Sequence, residues 1–136
     1  MGDIIMAKII VYMDNQENCV INPAPINSNS DYLIDELNNC PLGAFIIDSS
    51  ELPQGISINF TNSWTIKNNK VIVDLDKAKN EQLDRLKDFD NQFIELKPNL
   101  INNTNYQDAL VTMQNQILSS KTIEDIFSSL NLFNQF

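Results

Sequence analysis

The sequence predicts an α+β protein, a small N-terminal antiparallel sheet with one short helix followed by a C-terminal helical hairpin and a short terminal helix. Three observations carry that expectation. Short runs rich in β-branched residues, KIIVYM, FII and KVIV, all fall before Asp74. From Lys77 to Lys97 there is neither glycine nor proline, and Pro98 closes the segment. Beyond that point the apolar residues recur at spacings of three and four, the period of a helix. The division gives a small α+β domain over 1-73 and a helical segment over 74-136.

Taken in order, Ala7 to Met13 reads as a largely buried strand, and Asp14 to Asn18 supplies a turn. Cys19-Val20-Ile21 returns as the second strand of a hairpin with a five-residue loop. Pro23 and Pro25 stop the ladder, because proline lacks the donor and fixes φ. Ser28 to Ser30 can cap a short helix that presents Leu33, Ile34 and Leu37 on one face and ends before Pro41. Phe45-Ile46-Ile47 reads as a third strand. The polar stretch Asp48 to Thr61, punctuated by Pro53 and Gly55, is expected to be a surface loop. Trp64 to Lys67 and Lys70 to Val73 flank Asn68-Asn69, a turn pair that tolerates positive φ.

Asp74 or Asp76 caps the long helix that follows. Along it Leu75, Leu86, Phe89, Phe93 and Leu96 form one stripe, with Lys79 and Gln82 in the intervening slots and Leu83 and Ile94 widening the apolar face. The stripe starts polar and becomes aromatic, so the end nearer Pro98 is expected to be the buried one. A second helix from about Asn105 carries Tyr106, Leu110, Met113 and Ile117, and the two form a helical hairpin across Pro98 to Thr104. Thr122-Ile123-Glu124-Asp125 resembles a capping signal for a short helix through Leu130. In the tail, Leu132, Phe133 and Phe136 need an apolar place to go.

Composition removes most enzyme classes. The complete absence of histidine excludes the commonest general base, the Ser-His-Asp and Cys-His arrangements and His-ligated zinc. With only Gly2, Gly43 and Gly55, no glycine-rich phosphate cradle can form. Cys19 and Cys40 stand apart with no CxxC, which suits free thiols. Asp74-Leu75-Asp76 fails as a calcium loop, since Lys79 stands where glycine is needed and Arg85 where glutamate is needed. Helix carboxylates such as Glu81, four residues before Arg85, have the spacing of solvated ion pairs. No catalytic residue, metal ligand or cofactor site is expected, and the protein reads as a non-enzyme.

The net charge of -9 is uneven: residues 1 to 60 carry eight acids against one base, and residues 61 to 136 carry ten against eight. Phosphate neutralisation is thereby disfavoured, so no nucleic-acid partner is expected. No apolar run approaches the roughly 18 to 20 residues that cross a bilayer, so no membrane partner is expected either. The N-terminus lacks a basic n-region and a small-residue cleavage site, which points to a cytosolic origin. The candidate partner contacts are Trp64, Leu86, Phe89, Phe93 and Leu96. Trp64 reads as core packing or an interface anchor. The aromatic stripe packs within the hairpin or against a second copy, which makes a homo-oligomer the expectation.

In order along the chain, KIIVYMDN, VINPAP, IDSSELP, FTNSW and VIVDLDKAKNEQLDRLK resemble a group of small bacteriophage and prophage proteins of the tail or tail-fibre-assembly type. Those proteins share an opening like KIIVY-x-N, a P-x-P, an SELP loop, an aromatic-flanked tryptophan and a V-x-VDL-x-KAK helix start. The likeness runs from Lys8 to about Asp90 and fades over the C-terminal helices. It departs after Phe93, where Pro98 and an Asn-rich loop shorten the long helix of such relatives. Met6-Ala7-Lys8 resembles their usual beginning, which makes Met1 to Ile5 an upstream extension. The resemblance implies a role in virion morphogenesis, as a minor tail or adaptor subunit or an assembly factor. Its partners would be other phage structural proteins, and its place the virion or the bacterial host cytoplasm. Small size and acidity support one alternative, a phage-encoded inhibitor of a host or defence protein.

Overall fold

The computed structural model describes residues 8–23 and 30–136, and the chain divides into two compact units, Met1–Val73 and Asp74–Phe136. Ala7, Pro25, Ser28 and the start at Met6 lie outside the described residues. The architecture is α+β, with a three-stranded antiparallel sheet near the N-terminus followed by helices that include a hairpin and a short terminal helix.

In the first unit β1 (Lys8–Met13), β2 (Cys19–Pro23) and β3 (Phe45–Asp48) pair in the order β2-β1-β3. The central place goes to the strand with the continuous Ile9-Ile10-Val11 run, which is paired along both edges and covered on both faces; these residues are 4%, 1% and 0% exposed. Between β1 and β2 the Asp14 carboxylate accepts from the backbone N–H of Gln16 (2.9 Å) and Asn18 (2.8 Å), and Glu17 takes the left-handed conformation at φ +62°. Aspartate closes such a loop by replacing backbone acceptors. Pro23 ends the ladder opposite Ile9 on an edge strand, where a missing donor is tolerated. Helix α1 (Ser30–Asn38) leads to β3 and packs on it. Ile34 on that helix is exposed, so the expected apolar face is not covered at that position.

β4 (Trp64–Lys67) and β5 (Lys70–Val73) form a separate two-stranded sheet closed by Asn68 and Asn69, both left-handed at φ +53° and +58°. That is the twist a two-residue hairpin needs. The register puts Ile9, Val11, Ile21, Phe45 and Ile47 on one face of the larger sheet, and Trp64, Ile66, Val71 and Val73 on one face of the smaller. Those two faces meet as the core of the unit. The stretch expected to be a surface loop is instead two 3-10 segments, Ser49–Glu51 and Gly55–Ser63, with Phe60 wholly buried where the second one kinks. Tight turns let a polar segment satisfy its own backbone while lowering one aromatic ring into the interior.

The second unit opens with α2 (Leu75–Leu96), which starts two residues before the expected Lys77, and Asp74 accepts from the Lys77 backbone N–H at 3.1 Å. A 3-10 turn, Pro98–Asn102, reverses the chain into α3 (Thr104–Ser119), capped by Asn103. Thr122 caps α4 (Ile123–Ser128), and a last 3-10 segment, Asn131–Gln135, follows. The core gathers Leu100, Tyr106, Ala109, Met113 and Phe133, with Leu86, Phe93, Ile94, Leu130, Leu132 and Phe136 packed around it. The apolar tail therefore folds back as part of this core.

One expectation is reversed along α2. Its fully buried residues are Ala78 and Gln82, in the first half, while Leu96 at the end nearer Pro98 is 79% exposed. Gln82 is buried because its amide donates to the Ile126 carbonyl at 2.9 Å and lies 3.4 Å from the Phe127 carbonyl and the Ser129 hydroxyl. Its own oxygen accepts from Arg85, which also binds Glu81. A satisfied polar side chain can thus tie α4 to α2 where a leucine would have been expected.

Candidate protein-docking face

On a helix, residues seven apart return to one face, so Phe89 and Leu96 of α2 lie in line, with Phe93 turned slightly inward between them. Phe93 meets Phe133 at a ring-centroid distance of 4.9 Å and stacks on Tyr106 at 6.5 Å. Phe89 contacts Phe133 edge-on at 5.7 Å and remains 41% exposed. Phe136 stands edge-on to Tyr106 at 5.2 Å. The cluster is continuous from the buried Tyr106 ring to the solvent edge at Phe89 and Phe136.

Where the cluster reaches the surface, Phe93, Leu96, Lys97 and Phe136 line an open depression of about 300 Å³. The Lys97 ammonium donates to the Phe136 carbonyl, so its charge is turned toward the tail. Arg85, four residues before Phe89, falls on the same line and pairs with Glu81, while the exposed Asp84, Asp88 and Glu95 stand a quarter turn or more around the helix. The face is therefore apolar and open.

Beneath it, the hydroxyl of the buried Tyr106 donates to the half-buried Asp90 at 2.7 Å. Burial, then the hydrogen bond and the negative charge of Asp90, push its pKa well above the ordinary 10.0. The folded state thus holds the phenol proton more tightly than the unfolded chain. This stability is fully present below pH 10 and lost as pH rises toward the folded value. Tyr106→Phe is expected to lower stability at neutral pH by about 1.5–3 kcal/mol, the range for hydrogen bonds to charged groups. It should also flatten the loss of stability above pH 10. Urea unfolding at neutral and alkaline pH checks both; an identical alkaline slope in the variant would remove Tyr106 as the source.

The five residues singled out from the sequence part company here. Leu86 and Phe93 pack on the core of the second unit. Trp64 is 5% exposed within the core of the first unit, where its indole N–H donates to the Ser57 carbonyl at 3.1 Å. Only Phe89 and Leu96 present much apolar surface outward. Phe136, which lines the depression, carried no sequence signal beyond its apolar character at the end of a tail.

Elsewhere the chemistry is spare. Cys19 and Cys40 are partly buried, and the Cys40 thiol donates to the Glu36 carbonyl. A second depression of about 250 Å³ in the first unit is lined by Ile47, Glu51, Asn69, Lys70 and Val71, and Glu51 there already accepts from the Asp48 backbone. Among the described residues no buried side-chain polar atom lacks a partner, and no three metal-binding side chains gather. Among those residues, too, no helix is long and apolar enough to cross a membrane. No protein-family model matches the chain, and comparison with curated proteins and with solved structures finds no match.

Proposed function

We propose that the protein is a non-enzymatic component of bacteriophage virion morphogenesis, a minor tail or adaptor subunit or a tail-assembly factor acting through protein–protein contacts. The observation that carries the binding role is the pair Phe89 and Leu96, exposed beside an apolar depression; Ile101, Val111, Leu118 and Phe127 of the same unit are exposed as well. Apolar surface held open on a rigid helix favours association with another protein. The phage setting is supported by the order of the motifs from KIIVYMDN to VDLDKAK. Mass spectrometry of purified particles tests the reading. A subunit is expected at a fixed copy number that matches a particle symmetry, and an assembly factor is expected in infected lysate bound to tail components. Absence from both would overturn it.

A second reading, an inhibitor of a host or defence protein, draws support from the eight acids against one base in residues 1 to 60. Affinity capture from infected lysate separates the two, since an inhibitor would retain a host protein and no tail component.

A further inference from the structure

We infer that Gln82 and Ser129 together set the roll of α4, turning its Ile126 side into the core and keeping Phe127 at the surface. Ile123, Ile126, Phe127 and Leu130 make up the apolar side of this segment. At about 100° per residue they span an arc of about 100°, with Ile126 at one edge and Phe127 at the other. Burying the centre of that arc would cover both edges alike. Instead Ile126 is 0% exposed and Phe127 is 44% exposed. Ser129, about 60° beyond Ile126 on the side away from Phe127, is 1% exposed. The helix is turned past its own apolar side toward a serine.

Area alone opposes that setting, since a phenylalanine ring in place of a serine hydroxyl would bury more apolar surface. A polar network accounts for it. The Gln82 amide donates to the Ile126 carbonyl at 2.9 Å and lies 3.4 Å from the Phe127 carbonyl and the Ser129 hydroxyl. That hydroxyl donates in turn to the Ile126 carbonyl at 2.6 Å. Both carbonyls belong to the last turn of α4, where helix carbonyls lack the usual partner four residues on. Rolling α4 to bring Phe127 inward would withdraw Ser129 and strip acceptors from an amide that, at 2% exposed, is too buried to reach water instead. With six residues, α4 has no stability of its own to resist being set by such contacts. Gln82 thus selects which apolar residue α4 displays, a selection that does not depend on the morphogenesis role.

The test places a reporter at residue 127 of the full chain. Phe127→Trp is made in wild type and together with Gln82→Met, which keeps the length and volume of the glutamine but carries no donor. Trp64 is 5% exposed and adds the same small background to both proteins. Acrylamide quenching of the introduced indole is expected to fall by about half or more with Gln82→Met, as the ring turns inward. Ser129→Ala takes the hydroxyl out of the network and is expected to lower quenching by a smaller factor. A mutant cycle in urea gives a second readout. Phe127→Ser is expected to move the unfolding midpoint at least about twice as far in the Gln82→Met protein as in wild type. Unchanged or increased quenching with Gln82→Met would overturn the inference, as would equal midpoint shifts; either would mean that the packing of Ile126 sets the roll. Should Gln82→Met fail to fold by circular dichroism, Ser129→Ala decides alone, and unchanged quenching overturns the inference.

Discussion

Phe133→Ala is expected to destabilise the C-terminal unit by about 3–5 kcal/mol, the range for removing a buried phenylalanine ring. Phe133 is 6% exposed and sits within ring-contact distance of Phe89, Phe93 and Tyr106, so its loss opens a cavity bounded by three aromatic side chains. A unit spanning Asp74–Phe136 has a total stability of roughly 3–9 kcal/mol at about 0.05–0.15 kcal/mol per residue. The substitution therefore removes a large share of it. Denaturant unfolding followed by far-ultraviolet circular dichroism, which helices dominate, measures the change. Phe133→Leu keeps much of the volume and is expected to cost less than half as much. A shift below about 1 kcal/mol for the alanine variant would mean that the tail is not an integral part of the core.

Trp64→Ala should have a comparable effect in the first unit, about 3–5 kcal/mol. Trp64 is 5% exposed and packs with Ile9, Val11, Ile47 and Val71 where the two small sheets meet. The two-stranded sheet could not hold its apolar face in water alone, since a lone hairpin is marginal without a packed partner. Trp64→Phe restores most of the apolar volume but removes the donor to the Ser57 carbonyl, for an expected cost of about 1–2 kcal/mol. Thermal unfolding of the three proteins checks the order. If the phenylalanine and alanine variants were equally destabilised, the hydrogen bond to the 3-10 segment would matter more than the packing. In wild type the fluorescence of this sole tryptophan reports on the first unit.

Both substitutions concern residues whose role the sequence left open. Trp64 had two expectations, core or interface anchor, and its indole lies in a core. Phe133 was an apolar residue with no assigned neighbour, and it became the residue on which Phe89, Phe93 and Tyr106 converge. The exposed apolar face follows from that convergence. With the tail folded back, the Phe93 ring is largely covered while Leu96 projects past the cover.

What the sequence determined by itself was local. The Asn68-Asn69 turn, the proline at the end of the β2 ladder, the Thr122 cap and, between Asp74 and Asp76, the place of the α2 cap were legible because each depends on the backbone preference or hydrogen-bonding reach of residues within a few positions. The three-and-four spacing marked which side of α2 and α3 is apolar for the same reason. Tertiary structure alone decided which turns of those stripes are covered. Gln82 is buried because carbonyls at the end of α4, more than forty residues away, accept its amide protons. Phe60 is buried although its neighbours are polar, because a kinked 3-10 path turns it inward. Leu96 stays open because none of the described residues packs over its side of the last helical turn, leaving it 79% exposed. Burial depends on what arrives from distant parts of the chain, and periodicity carries no information about that arrival.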